Sequence, residues 1–253
     1  MSPLEAAAVL LAGMAAGTIN TVVGSGTLIT FPTLLAFGVP PVTANVSNTI
    51  GLVPGSVSGA IGYRAELAGQ RSRLVRLASA SCLGGLGGAV LLLWLPSEAF
   101  DTIVPVLIGI GVLLVVLGPT ISRRISARAA HELPHAHIAP WAWPAVLLTG
   151  VYGGYFGAAQ GVLLMAVLGI GVVDSLQRHN ATKNVLAAIV NAVAAVVFMF
   201  VAEVDWPIAG LIAAGSIVGG QLGATVGRRL PAPALRAVIV VVGVTALVVF
   251  LLD

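Results

Sequence analysis

The sequence predicts an all-α polytopic membrane protein made of two inverted repeats. Each repeat consists of a re-entrant hairpin of broken helices followed by three transmembrane helices, giving about eight hydrophobic segments. Three observations lead to this fold class. The 253-residue chain is 58% hydrophobic and only 8% charged, with a mean hydropathy of +1.06, and this composition excludes a soluble globular domain. Apolar segments alternate with short charged loops, and similar residues recur at a constant offset in the two halves.

Six apolar segments are long enough to cross about 30 Å of hydrocarbon as single helices. They are residues 42–62, 74–95, 102–119, 179–200, 206–226 and 235–252. Two longer apolar segments, 4–37 and 141–171, are interrupted by Gly24-Ser25-Gly26 and by Gly157-Ala158-Ala159-Gln160-Gly161. Broken helices occur at membrane depth only where protein or a cavity covers them. We therefore expect these two segments to form hairpins.

The charged loops predict the topology. Arginines cluster after residues 62, 119 and 226, whereas the loops 96–101 and 202–205 carry only acids. The arginine-rich loops are therefore expected in the cytoplasm. An odd number of crossings must join the cytoplasmic loop to residues 202–205. The span 179–200 supplies one of them, so the segment 141–171 must supply an even number. We expect it to be re-entrant, and by analogy the segment 4–37 as well, with two full spans as the alternative for each.

These assignments divide the chain into two repeats of opposite orientation. The first repeat covers residues 1–119, a cytoplasmic linker covers 120–140, and the second repeat covers 141–253. Inverted repeats are a recurrent plan of transporters.

The duplication is visible in the residues themselves. Gly84-Gly85 recurs as Gly219-Gly220, and Gly88-Ala89 recurs as Gly223-Ala224, both at an offset of 135. Such small residues allow helices to approach closely. The run GGLGGA at 84–89 is expected to pack helices either within one chain or between two copies.

Two segments of the chain resemble a known family. GTINTVVGSGTLITFPTLLAFGVPPVTANVSN, at residues 17–48, and GVYGGYFGAAQGVLLMAVLGIGVVDSLQRHNATKN, at 150–184, are similar to the signature segments of sulfite exporter (TauE/SafE) permeases, including those like 4-toluene sulfonate uptake permeases. The resemblance covers nearly the whole chain. It implies transport of sulfite, of a sulfonate such as sulfoacetate, or of another organosulfur anion. A related thiosulfate-importing group uses several cysteines, and the single Cys82 argues against a thiosulfate relay here.

The helix breaks suggest why glycines and polar groups occur inside the bilayer. The return helices are expected to begin at Thr27 and Val162, so that their positive N-termini converge on the membrane centre and attract an anion. The alternative is that the glycines only allow the hairpins to pack. The candidate substrate-binding residues at the breaks are Asn20, Gly24, Ser25, Gly26, Thr27, Tyr155, Gly157, Gln160 and Gly161.

Two spans beside the hairpins carry polar residues at helical spacing, which indicates one face turned toward the bundle. Their candidate substrate-binding residues are Asn45, Asn48, Lys183, Asn184 and Asn191. The amides could instead join helices without touching substrate. Lys183, the only lysine, is expected either to snorkel to the headgroups or to form a cationic entrance for anions.

The sequence favours a transporter over an enzyme. No catalytic grouping, metal-ligand set or cofactor motif stands at membrane depth, and the acids lie near span ends or in loops. Without a carboxylate for a proton relay, export driven by the membrane potential is expected. The alternatives are an anion channel, an importer of a sulfur compound and, less favoured, a membrane-embedded enzyme. The expected partners are a small anion and the lipid of the cell (inner or plasma) membrane, not nucleic acid, and a monomer or homodimer is left open.

Overall fold

The structure, a computed structural model, describes residues 1–131, 138–226 and 232–252, with side chains except at 128–131, 232–233 and 249–252. All regular secondary structure in these ranges is helical. The helices are α1 Pro3–Val22, α2 Thr27–Ala36, α3 Pro41–Gly62, α4 Arg71–Trp94, α5 Ser97–His131, α6 Ala142–Tyr155, α7 Gln160–Gly171, α8 Leu176–Val201, α9 Trp206–Thr225 and α10 Ala232–Leu252, with a short 3-10 turn at Arg64–Leu67.

The six predicted spans correspond to α3, α4, α5, α8, α9 and α10. By length and composition alone, α1, α4, α5, α8 and α9 are able to cross a membrane. The helix α5 continues past the predicted end at Pro119 to His131. Proline inside a helix removes one backbone hydrogen bond, and membrane helices tolerate this. The segment assigned to the linker therefore begins as helix, while 132–137 and the predicted arginine loop at 227–231 lie outside the described residues.

Each of the two interrupted segments folds back on itself. The N–H of Ala139 donates to the Gly171 carbonyl at 3.0 Å, so α7 ends beside the residues that precede α6. In the first half, Met1 and Glu5 line the same cavity as Phe37 and Val39. Each pair of helices therefore returns to the end of the bundle at which it began. This holds for α1–α2 at one end and for α6–α7 at the other.

One predicted boundary at the second break is wrong. The helix α7 begins at Gln160 rather than at Val162, directly after Ala159 in the left-handed conformation at φ 60°. Because such a residue cannot continue a right-handed helix, it sets the helix start.

The two halves pack across each other. Helix α1 lies against α9, α4 lies against α6, and α3 packs on both α8 and α9. The recurring glycines lie at these contacts: a Cβ on Gly84 would stand 2.3 Å from the Leu147 carbonyl oxygen, and one on Gly219 would stand 2.0 Å from that of Met14. These small-residue runs therefore pack helices within one chain.

The bundle has two chemically different ends. At one of them, which we call the acidic end, Asp101 and Glu203 line a cavity together with Pro40. At the other, the arginine end, Arg73 donates to Asp174 at 2.7 Å, so the start of α4 meets the connection between α7 and α8. The helices α3 and α8 run between these ends in opposite directions, because Ser47 contacts Asp205 and Tyr63 contacts Asn180.

Candidate functional site

The two helix breaks meet in the interior of the bundle. The Gly161 N–H donates to the Gly24 carbonyl at 3.0 Å. A Cβ on either glycine would lie 2.4 Å from the Cα of the other, closer than any real contact. Gly24 also has φ +90°, a conformation that side chains other than glycine rarely adopt. Glycine at both positions therefore lets the hairpins cross backbone to backbone.

Polar side chains without hydrogen-bond partners belong to the residues around this crossing. They are nine-tenths or more buried, and their partnerless atoms among the described residues are Ser25 Oγ, Asn45 Oδ1, the Tyr155 hydroxyl, Gln160 Nε2 and Asn184 Nδ2. Folded proteins leave few such groups, since each costs about 1–3 kcal/mol. Their concentration on the segments that form and flank the two breaks makes this region the candidate binding site.

Backbone donors add to these side chains. At the start of α2 the N–H groups of Ser25, Gly26 and Thr27 make no hydrogen bond within the described part of the chain, and no side chain caps the helix. At the start of α7 the same holds for the N–H groups of Ala158 and Ala159. Free N–H groups at helix N-termini carry partial positive charge and favour anions.

The polar stripe of α3 contacts both hairpins. Asn48 donates from Nδ2 to Thr27 Oγ1 at 3.3 Å and accepts from the Thr30 hydroxyl. Asn45 donates from Nδ2 to the Tyr155 carbonyl at 2.9 Å, at the end of α6. Asn48 thus joins α3 to the first hairpin, whereas Asn45 still has a free carbonyl oxygen. Both amides therefore join α3 to a hairpin, and Asn45 in addition keeps an acceptor without a partner among the described residues.

Lys183 lies inside the protein rather than at its surface. Its side chain is 1% exposed, and Nζ donates to the carbonyls of Asn20 at 3.2 Å and Thr21 at 3.0 Å. These carbonyls belong to the last turn of α1, where the helix ends and leaves acceptors free. The expectation that Lys183 snorkels to the headgroups is therefore wrong, and the ammonium does not line a surface entrance in this conformation.

The remaining predicted residues shape or support the breaks. Ser56 on α3 accepts from Asn20 Nδ2 at 3.3 Å and from Asn191 Nδ2 at 3.4 Å, so these two residues are brought together through it. A Cβ on Gly26 would stand 2.5 Å from the Ala16 carbonyl oxygen, and Gly157 has φ +76°. These glycines permit the turns without contributing side-chain chemistry.

An aromatic cluster beside the breaks was not anticipated. Phe31 on α2 and Phe156 at the second break meet edge to face at 5.1 Å between ring centroids, and Phe100 lies 6.1 Å from Phe156. Phe100 stands in the first turn of α5, next to Asp101. The cluster therefore packs α2 and the second break against the first turn of α5. The three phenylalanines are far apart along the chain, so no spacing pattern in the sequence indicates that they meet.

His179 was also missed as a structural residue. It is 3% exposed; its Nδ1 lies 2.9 Å from the Ser175 carbonyl, and its Nε2 lies 3.0 Å from the Leu168 carbonyl near the end of α7. The imidazole therefore fastens the return helix of the second hairpin to α8.

The chain is similar over nearly its whole length to known membrane proteins. The family model of the sulfite exporter TauE/SafE matches residues 9–250. The chain is 26% identical over 243 residues to the probable membrane transporter protein YfcA of Escherichia coli strain K12, covering 96% of this chain and 88% of that protein. It is 26% identical over 249 residues to the probable membrane transporter protein ORF9 of Sinorhizobium sp, covering 96% and 91%. No solved structure matches the chain. The chain therefore belongs to the sulfite exporter TauE/SafE family and is a multi-pass membrane transporter.

Proposed function

We propose that this transporter exports a small sulfur-containing anion, sulfite or a sulfonate such as sulfoacetate, across the inner or plasma membrane. The observation that carries the proposal is the contact between Gly24 and Gly161, surrounded by buried polar atoms that have no partners among the described residues. The family to which the chain belongs supports sulfur chemistry.

The donors at the crossing suit an oxyanion. The site offers backbone N–H groups from two helix N-termini, the amides of Gln160 and Asn184, the hydroxyls of Ser25 and Tyr155, and the Lys183 ammonium. A sulfite or sulfonate group presents three acceptor oxygens and negative charge. Charge-assisted hydrogen bonds to such a group are stronger than those between neutral partners.

The path of the chain supports alternating access. Corresponding helices of the two halves make corresponding contacts, α1 with α9 as α6 with α4, and α2 with α10 as α7 with α5. With the arginine end in the cytoplasm, both hairpins would enter from opposite sides of the bilayer and meet near its centre. Transporters with inverted repeats place their substrate at such a position.

The burial of the site favours a carrier over a channel. Ser25 and Asn45 are 0% exposed and Gln160 is 3% exposed, so the crossing is closed to both ends of the bundle. A channel would need a continuous path, whereas a carrier passes through closed states. Saturable flux with counterflow would support the carrier, and single-channel current steps would contradict it.

The proposal is tested by thermal stabilisation of the detergent-purified protein. A ligand that binds the folded state raises the melting temperature by mass action. We expect a selective rise with sulfite or sulfoacetate among a panel that includes taurine, thiosulfate, sulfate and chloride. Gln160→Met removes an amide that has a partnerless nitrogen at the crossing and should abolish the rise without lowering the ligand-free melting temperature.

A matched control is Gln221→Met on α9, whose amide donates to the Ser58 carbonyl at 2.9 Å. This variant should lose some stability because it removes the partly buried hydrogen bonds from the Gln221 amide to the carbonyl and hydroxyl of Ser58, but it should keep the ligand-induced rise. An equal rise in wild type and Gln160→Met, or no rise with any sulfur anion, would contradict the proposal.

A further inference from the structure

Lys183 is a buried cation without an acidic partner. Among the described residues the ion pairs join Asp174 to Arg73 and Arg178, and none includes Lys183. The ammonium contacts two carbonyl oxygens, which supply only the partial negative charge of a helix C-terminus. An ammonium removed from water without a full counter-charge is costly.

The cation lies directly beside the hairpin crossing. Its Cδ is 3.1 Å from the position that a Cβ on Gly161 would take. The adjacent Asn184 has a buried Nδ2 without a partner among the described residues. The acceptors that face the ammonium are neutral backbone carbonyls, and the nearest acid in the sequence, Asp174, is engaged by its two arginines at the arginine end.

We propose that Lys183 supplies the counter-charge of the substrate and thereby restricts the site to ligands with a net negative charge. In the ligand-free protein the ammonium is held by the α1 carbonyls. When an anion occupies the crossing, one or more ammonium N–H groups turn from Asn20 and Thr21 to the ligand oxygen. This inference rests on the proposed function, since the ligand occupies the same site.

A purely structural role makes a different prediction. If Lys183 only caps α1, any side-chain donor that reaches the two carbonyls would replace it, and the charge of a bound ligand would not matter. Lys183→Gln separates the two roles, because its amide keeps an N–H donor and removes the charge. Lys183→Met removes both.

The experiment compares ligands of the same shape that differ in charge. Binding of methanesulfonate and of methanesulfonamide, which is uncharged at neutral pH, is titrated on the purified protein, together with acetate and acetamide. Wild type should prefer the anion of a pair by about tenfold or more, as expected for a hydrogen bond to a charged group. Lys183→Gln and Lys183→Met should prefer neither member.

Arg178→Gln is the matched control, since it neutralises a cation at the arginine end outside the crossing and should retain the anion preference. Lys183→Arg keeps the charge and should retain it as well. A wild type without anion preference in either pair, or a neutral Lys183 variant that keeps the preference, would overturn the inference. Preference for acetate over acetamide with no binding of methanesulfonate would instead contradict the sulfur substrate and support the role of Lys183.

The fold of the neutral variants is checked by their ligand-free melting temperature. Removing the ammonium relieves the cost of burying its charge, but it also leaves the carbonyls of Asn20 and Thr21 without this donor. Because these two effects oppose each other, Lys183→Met should melt close to wild type while losing charge selectivity. If Lys183→Met fails to fold, Lys183→Gln, which retains a donor for the α1 carbonyls, decides the question.

Discussion

Gly161 illustrates how a single residue controls the site. An added methyl group would lie 2.4 Å from Gly24 Cα and 3.0 Å from the Gly24 carbonyl oxygen. Both are backbone atoms of the other hairpin, so no side chain is able to move aside. The crossing of the hairpins thus depends on the absence of a side chain at this position.

We predict that Gly161→Ala lowers the free energy of unfolding by about 1–3 kcal/mol, the usual cost of overpacking, and reduces transport. The measurement is a melting temperature together with substrate flux in proteoliposomes. Gly210→Ala on α9 is the control, because nothing lies within 4 Å of the position of its Cβ and alanine favours helix over glycine. A Gly161→Ala protein as stable and active as Gly210→Ala would show that the backbones do not touch.

Residue-level prediction from the sequence had a clear limit at Ala159. Alanine is a strong helix former and disfavours the left-handed conformation by about 1–2 kcal/mol. Nothing in the sequence indicated that Ala159 ends the second break in the left-handed conformation, at φ 60°. Ala159 adopts this conformation two residues before Gly161, which contacts the Gly24 backbone, and strained residues of this kind are found at functional sites.

The direction of Lys183 was unpredictable for a related reason. The sequence placed it about one turn into the predicted span 179–200, but its partners are carbonyls of α1 in the other half of the chain. Long-range contacts of this kind depend on tertiary packing, which periodicity does not describe.

At the scale of helices the sequence was more informative. Amides spaced along one face of an apolar helix indicated which side of α3 turns inward, and Asn45 and Asn48 are 0% and 1% exposed. The pairing of each amide with a particular hairpin could not be predicted. Asn45 reaches α6, more than one hundred residues away in the chain.

The connection between α7 and α8 is held to α4 by charge. Burial raises the pKa of the Asp174 carboxyl, but hydrogen bonds from Arg73 and Arg178 outweigh burial and hold this pKa below its ordinary value. Gln70 extends the contact, because its side-chain oxygen accepts from Thr182 on α8 at 3.1 Å. The network therefore fixes the arginine end of α8 next to the start of α4.

We predict that this network stabilises the protein at neutral pH and is lost in acid. Because the pKa of Asp174 is lower in the folded than in the unfolded protein, its contribution is complete above the ordinary pKa of about 4 and falls as pH drops through the folded pKa. Asp174→Asn should lower the melting temperature at neutral pH by about 2–4 °C, the shift that loss of one moderate interaction produces in a chain of this size. The difference from wild type should shrink below about pH 4.

Asp101→Asn is the control for this prediction, since Asp101 is an exposed acid at the other end of the bundle and exposed substitutions usually change stability little. A difference between wild type and Asp174→Asn that is independent of pH would contradict the electrostatic explanation.

At the scale of the whole molecule, the acids stand at the ends of the bundle. Glu5, Asp101 and Glu203 mark the acidic end and Asp174 the arginine end. Among the described residues, no carboxylate therefore stands at the centre of the bundle where it could relay protons. We therefore expect transport of a net charge, driven outward by about 2.3 kcal/mol per unit charge and 100 mV of negative-inside potential.

This prediction is measured in proteoliposomes with an imposed potassium diffusion potential. Anion efflux should increase with interior-negative potential and should be unchanged by a pH gradient at zero potential. Flux that requires the pH gradient when the potential is clamped at zero would mean that protons are coupled to transport through residues other than acids at membrane depth.

The contacts between the two halves have a consequence for how the protein assembles. Lys183 of the second half donates hydrogen bonds to carbonyls in the last turn of α1. Asn45 of the first half donates a hydrogen bond to the carbonyl at the end of α6. Neither half alone satisfies the carbonyls of its own interrupted helix. The two halves of the present chain, made as separate polypeptides, should therefore be recovered only when each is produced in the presence of the other.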